Sequence, residues 1–167
     1  YRLEDVEEIA SMKKARKAAE KRGLVVRFFA GDNLMIETKE GRIENVRGYI
    51  QGKYVYVRAD HPMYTADQIM RHELGHDMVA KGEVAVSKVI KRLKKLVGEE
   101  NVDKIAAYYA AIYGGSGLSY EDVWEEAICD SLADMNVFAE NSKFAAAEEA
   151  YKLLMPEVKK AVNQTTS

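Results

Sequence analysis

The spacing of apolar positions changes period at residue 24. Before it, residues 1–22 are rich in Ala, Glu, Lys and Arg, and Leu3, Val6, Ile9 and Ala10 mark an apolar stripe at helical spacing. Gly23 is placed to end that helix. After it, residues 24–30 (LVVRFFA) are β-branched and aromatic, which predicts a strand, and Gly31-Asp32-Asn33 predicts the turn that follows. Residues 34–39 read as a second strand, with Glu40-Gly41 as the next turn. Residues 45–50 and 53–58 read as two more, joined in a hairpin across Gln51-Gly52. In the last of these, Val55 and Val57 fall on one face and Tyr54, Tyr56 and Arg58 on the other. Connections of hairpin length imply a mostly antiparallel sheet.

Every later segment has helical spacing. Thr65-Ala66-Asp67-Gln68 has the form of a capping box opening a helix over 65–80, and Gly82 lies just past its end. Residues 84–97 carry Val86, Val89, Ile90, Leu93 and Val97 on one stripe, closed by Gly98. Asn101 is placed to cap a further helix over 102–113. Gly114-Gly115-Ser116-Gly117 reads as a connector, because it lacks the Lys-Ser/Thr of a phosphate-binding loop and follows no strand. Ser119 to Asp122 forms a second capping box, leading into a helix over 120–139. Residues 143–162 read as a last helix with a break or kink at Pro156, and the tail 164–167 is expected to be disordered. Strands followed only by helices make an α+β pattern: an N-terminal helix and a small sheet, then a helical C-terminal half.

Composition narrows the function. A chain of 167 residues suits one domain, 1–167, with its own core. It begins at Tyr1 rather than Met, as a domain excised from a longer protein would. The net charge of -2 gives no electrostatic case for nucleic acid or for an anionic membrane. No apolar run approaches a transmembrane length, and no secretory pattern opens the chain. The one cysteine, Cys129, excludes an intrachain disulfide and fits a reducing compartment, so the cytoplasm is the expected location.

The strongest chemical signal is His72-Glu73-Leu74-Gly75-His76, on the helix predicted over 65–80. Histidines four apart share one helix face and can reach one metal ion. The glutamate between them can take a proton from a water on that metal, which makes Glu73 the candidate general base. A catalytic zinc needs a third protein ligand and one open position. His61 precedes the helix beside a proline and ranks low. The acidic stretch from Glu121 to Asp130 is better. At about 100° per residue, Val123, Ala127, Ser131, Met135 and Phe138 define the inward face of its helix, flanked by Trp124 and Ile128. Glu126 and Asp130 fall on one edge of that face, one turn apart. Glu126 is therefore the expected third ligand, and Asp130 the acceptor for a ligand histidine's other N–H. Asp134 continues the stripe further inward and is a candidate support of the site. Glu125 reads as a solvated neighbour, and Cys129 as a half-buried small residue away from the inward face.

With these residues in view, the chain resembles the zincin metallopeptidases of the gluzincin type, whose pattern is H-E-x-x-H on one helix and E-x-x-x-D on a later one. Here these are His72 to His76 and Glu126-Ala127-Ile128-Cys129-Asp130. Arg47-Gly48-Tyr49 to Tyr54-Val55-Tyr56-Val57, followed by Arg71 and the motif, is similar to compact zincin-like domains of phage and mobile-element proteins and to ImmA/IrrE-type peptidases. The resemblance covers about residues 46–134. It implies a zincin-like fold, a zinc cofactor, a polypeptide substrate and hydrolysis of peptide bonds. In zincins an extended peptide pairs with an exposed sheet edge; residues 53–58, just before the motif helix, could contribute to that cleft, and the sequence does not identify the edge strand. Tyr109, Tyr113 and Tyr120 are candidate phenolic donors to the oxyanion, and nothing in the sequence selects among them. The competing reading is a catalytically silent module of a phage or mobile-element protein, with zinc holding its helices together. The intact Glu73 argues against it, because a structural site needs no base.

Overall fold

The computed structural model describes residues 9–32, 34–37, 43–113, 118–140 and 142–165. The architecture is α+β, and the chain divides into two compact units, Tyr1–Leu74 and Gly75–Ser167.

The first unit opens with α1 (Ala10–Lys21), which packs on β1 (Val25–Phe29). Met12, Ala15 and Ala19 form its buried stripe. Ile9 and Ala10, expected on that stripe, are exposed, because the helix only begins at Ala10 and Ile9 is its N-cap. Leu3 and Val6 lie outside the described residues. β4 (Gly48–Gln51) and β5 (Tyr54–Arg58) form the expected hairpin, with Gln51 paired to Tyr54. Gly52, at φ 59°, supplies the positive dihedral that tight hairpin turns require. Val55 and Val57 are fully buried, while Tyr54, Tyr56 and Arg58 are half-buried, so the predicted alternation holds.

The sheet order is β1-β5-β4, with β5 in the centre. β4 meets β5 antiparallel, but β1 meets it parallel, with Val25 opposite Tyr54 and Phe29 opposite Arg58. Short connections implied a mostly antiparallel sheet, and two of the three pairings among the described residues are antiparallel. The chain sets β2 (Met35–Glu37) and β3 (Ile43–Asn45) aside as a separate antiparallel pair, and β1 finds its partner beyond them. β3 was not expected, since Ile43-Glu44-Asn45 is too short and polar to show a strand period. The predicted turn at Glu40-Gly41 lies outside the described residues, as does Asn33 of the turn before it.

The second unit is helical. α3 (Val86–Val97), α4 (Glu99–Ile112), α5 (Tyr120–Leu132) and α6 (Ala145–Thr165) surround one core that includes Val89, Leu93, Ile105, Trp124, Ile128 and Phe138. Phe138 packs edge-on against Tyr109 and Tyr151, with ring centroids 5.0 and 5.4 Å apart. Three expectations change here. α4 starts at Glu99, so Asn101 lies inside it and donates from Nδ2 to the Val97 carbonyl at 2.7 Å. α5 ends at Leu132 rather than near 139, and the chain continues in a 3-10 turn at Val137–Glu140. α6 runs unbroken through Pro156 and reaches Thr165, within the tail expected to be disordered. The glycine-rich connector at 114–117 and the last two residues, 166–167, lie outside the described residues. No helix among the described residues is long and apolar enough to cross a membrane.

Candidate metal centre

The motif helix, α2 (Ala66–Ala80), is held at both ends by local chemistry. At its start the expected capping box forms in both directions. Thr65 N–H donates to Gln68 Oε1 and Gln68 N–H donates to Thr65 Oγ1, each at 3.1 Å. At its end, Gly82 takes a positive φ of 75° while its N–H donates to the Val79 carbonyl at 3.1 Å and that of Glu83 to the Met78 carbonyl at 2.8 Å. This is the paired closure that glycine permits at a helix terminus. His72 and His76 therefore lie one turn apart on a well-defined helix.

α5 is fixed in the same way. The Ser119–Asp122 capping box is present in both directions, with Asp122 N–H donating to Ser119 Oγ at 3.1 Å. The helix then presents Glu125 and Glu126 to His76 from successive positions. His76 Nδ1 is 2.6 Å from Glu125 Oε2, and His76 Nε2 is 3.2 Å from Glu126 Oε1. One ligand atom each from His72, His76 and Glu126 lies within 4.8 Å of the others, close enough to share one cation. Gly75 lets α2 approach α5 this closely, since a Cβ there would meet Cys129.

Burial alone would favour neutral His76. Hydrogen bonds with Cys129, Glu125 and Glu126 outweigh it and hold the imidazole's proton affinity well above its ordinary value. A cation and that proton compete for the same nitrogen.

Glu73 is buried, as is His72. Its surroundings in the first unit include β4: a Cβ on Gly48 would lie 3.0 Å from Glu73 Oε1 and 2.8 Å from Ile69 Cγ2. The strand can pass over the glutamate at this distance only because residue 48 has no side chain. Among the described residues β4 pairs with β5 alone and is an edge of the three-stranded sheet, whereas β5 is the central strand. Residues 53–58, expected near the cleft, are thus paired on both sides, by β1 and β4.

No family model, curated protein or solved structure matches the chain.

The remaining candidates are placed as follows. Asp130 is fully buried and accepts a hydrogen bond from Tyr109 Oη at 2.9 Å. Asp134, expected to face inward, is half exposed: it falls past the end of α5 at φ 57° and pairs with Lys159 of α6. His61 caps a turn, its Nδ1 accepting from the N–H groups of Met63 and Tyr64 at 3.1 and 3.3 Å. Tyr109 is wholly buried and bonded to Asp130, and the Tyr120 hydroxyl is bonded to Asp103 at 2.8 Å. Cys129 is fully buried rather than half-buried, because the helix face that carries it meets Gly75.

Glu125 is the residue that periodicity misplaced. A helical wheel assigns it to solvent, yet its carboxylate bonds His76 and keeps about a quarter of its surface exposed. The available signal was the adjacent pair Glu125-Glu126 itself: two long acidic side chains at neighbouring positions can bracket the two nitrogens of one imidazole.

Proposed function

We propose that this chain is a zinc-dependent endopeptidase of the zincin type. The observation that carries the reading is the convergence of His72, His76 and Glu126 on one point, with Glu73 on the helix that bears both histidines. Two imidazoles and a carboxylate suit zinc, which takes nitrogen and oxygen donors in three-ligand catalytic sites. When bound there, zinc supplies Lewis acidity and a water of near-neutral pKa.

The chain's own residues divide the rest of the work. His72, His76 and Glu126 hold the cation. Glu73 receives a proton from the attacking water at its carboxylate and returns it to the leaving amine. β4, the sheet edge beside Glu73, suits an extended peptide, because an edge strand offers unpaired main-chain donors and acceptors. Peptide-bond cleavage is favoured over other hydrolysis by that edge and by the likeness of the motifs to zincins.

The test compares wild type with Glu73→Gln for metal content and for cleavage of a peptide library. Both should bind about one zinc ion, as a three-ligand site implies, and only the wild type should cleave. A wild type that holds no zinc when supplied with it defeats the metal centre. A Glu73→Gln protein that cleaves at the wild-type rate defeats the role given to Glu73. If both bind zinc and neither cleaves, the chain is the metal-stabilised module instead.

A further inference from the structure

Resting on the metal centre just described, we propose that Glu125 is a positioning residue that holds His76 through Nδ1 and so presents Nε2 to the cation. An imidazole has two nitrogens, and the one that donates to a carboxylate is not available to bind metal. His76 Nδ1 is 2.6 Å from Glu125 Oε2, in the range of a charge-assisted bond. The other nitrogen, Nε2, faces Glu126, the carboxylate that belongs to the three-residue cluster. The two glutamates thus have different tasks although they are adjacent in sequence. Glu126 joins the histidines around the cation, and Glu125 fixes which face of the ring is turned towards it.

The surroundings support this division. Gly75 and Cys129 set the separation of α2 and α5 at the level of His76, so Glu125 reaches the ring from a defined backbone position. Asp130, the residue expected to hold a ligand histidine, sits one turn further along α5 and accepts from the Tyr109 hydroxyl. The carboxylate bound to Nδ1 of His76 is the one immediately before Glu126 in sequence. A carboxylate behind a ligand histidine also raises the basicity of the ligating nitrogen.

The experiment is a chelator-competition titration with Zn2+ and Co2+ on wild type, Glu125→Ala, Glu125→Gln and Glu126→Ala. Circular dichroism melts of each metal-free protein are recorded alongside. The expected result is a loss of about 10–100-fold in affinity for Glu125→Ala with one ion still bound. Glu125→Gln should recover most of that loss, because its amide oxygen still accepts from Nδ1–H. Glu126→Ala, lacking a ligand, should lose more than Glu125→Ala. Nitrogen-15 spectra of the zinc-loaded wild type should show His76 protonated at Nδ1 and ligated through Nε2. That measurement decides the matter even if Glu125→Ala does not fold. Unchanged affinity in Glu125→Ala, equal losses in the Ala and Gln variants, or ligation through Nδ1 each overturns the role of Glu125 while leaving the metal centre standing. A wild type that binds neither ion overturns both.

Discussion

Gly75 and Cys129 touch so closely that a Cβ on the glycine would sit 2.8 Å from the cysteine sulfur and 3.2 Å from its Cα. The second variable position of the H-E-x-x-H motif is therefore a contact point between α2 and α5. Gly75→Ala gains about 1 kcal/mol of helix propensity but overpacks this contact, at about 1–3 kcal/mol. Because one of the clashing atoms is backbone Cα, no rotamer change relieves it, and the variant should be less stable overall. Urea unfolding checks this. Adding Cys129→Ala should restore only part of the loss, since it removes the sulfur and leaves the backbone contact. An additive double-mutant cycle would show that the two residues are not coupled.

Gly48 offers a way to disturb Glu73, the proposed base, without touching a proposed ligand. Gly48→Ala places a methyl group against Glu73 Oε1 and Ile69. The carboxylate is the far end of a flexible side chain and should yield first. The expected outcome is wild-type zinc stoichiometry with peptidase turnover reduced by about ten-fold or more, the scale on which misplaced proton transfer costs rate. Metal analysis beside steady-state kinetics reads both quantities. Loss of zinc with normal folding would place Gly48 against a ligand instead.

The buried polar core of the second unit predicts an alkaline limit to stability. Burial raises the pKa of both Tyr109 and Tyr151 above 10.0, and the nearby Asp130 charge adds to it. A raised phenol pKa means that stability is fully present below the unfolded value of about 10 and is lost as pH rises beyond it towards the folded pKa. Denaturant melts from pH 8 to 11 should show the decline. Tyr151→Phe should flatten it at some cost near neutrality, because the Tyr151 hydroxyl bonds the Met135 carbonyl at 3.2 Å and lies 3.1 Å from Ser131 Oγ. Tyr109→Phe removes a hydrogen bond to Asp130 and should cost about 1–3 kcal/mol at pH 7.

Metal and proton should oppose each other at His76. The imidazole's proton affinity is raised, with burial opposing and the bonds to Cys129, Glu125 and Glu126 prevailing. Zinc affinity should therefore fall steadily as pH falls, because each ion bound must displace that proton. Calorimetry in buffers of different ionisation enthalpy counts the protons released. Zinc at about 100 times its dissociation constant should stabilise the protein by about 2.7 kcal/mol, and His76→Ala should abolish that increment. A zinc affinity independent of pH would exclude His76 as a ligand.

Much of this arrangement was legible because its causes are local. Both capping boxes, Thr65 with Gln68 and Ser119 with Asp122, form as written, since a cap needs only a polar side chain within three residues of its partner. The Val55 and Val57 face followed from simple alternation. That Glu126 comes within reach of His72 and His76 followed from its place on the edge of a helix face. Other features depend on partners distant in sequence. Met135 and Phe138 continue the apolar spacing of α5, so the helix seemed to run on. They are buried beyond its end instead, after Asp134 turns the chain through a left-handed conformation and pairs with Lys159. Glu125 was misplaced because a helical wheel records directions from the axis but not how far a glutamate can lean. The parallel pairing of β1 leaves no trace in its own residues.

That parallel pairing also orders events in time. β1 emerges from the ribosome just after α1, but its hydrogen-bonding partner, β5, begins at Tyr54, opposite Val25. Everything between must be synthesised first, and the loop that joins the two strands must close at an entropic cost before any bond between them forms. A chain that stopped short of residue 54 would leave β1 with neither edge covered, and such a strand invites pairing with other copies. The second unit waits in part as well: α3 packs on α4, the next helix in sequence, but also on α6, which begins only at Ala145. The sheet edge beside Glu73 thus comes into being only when β5 arrives to seat β1 and β4 together.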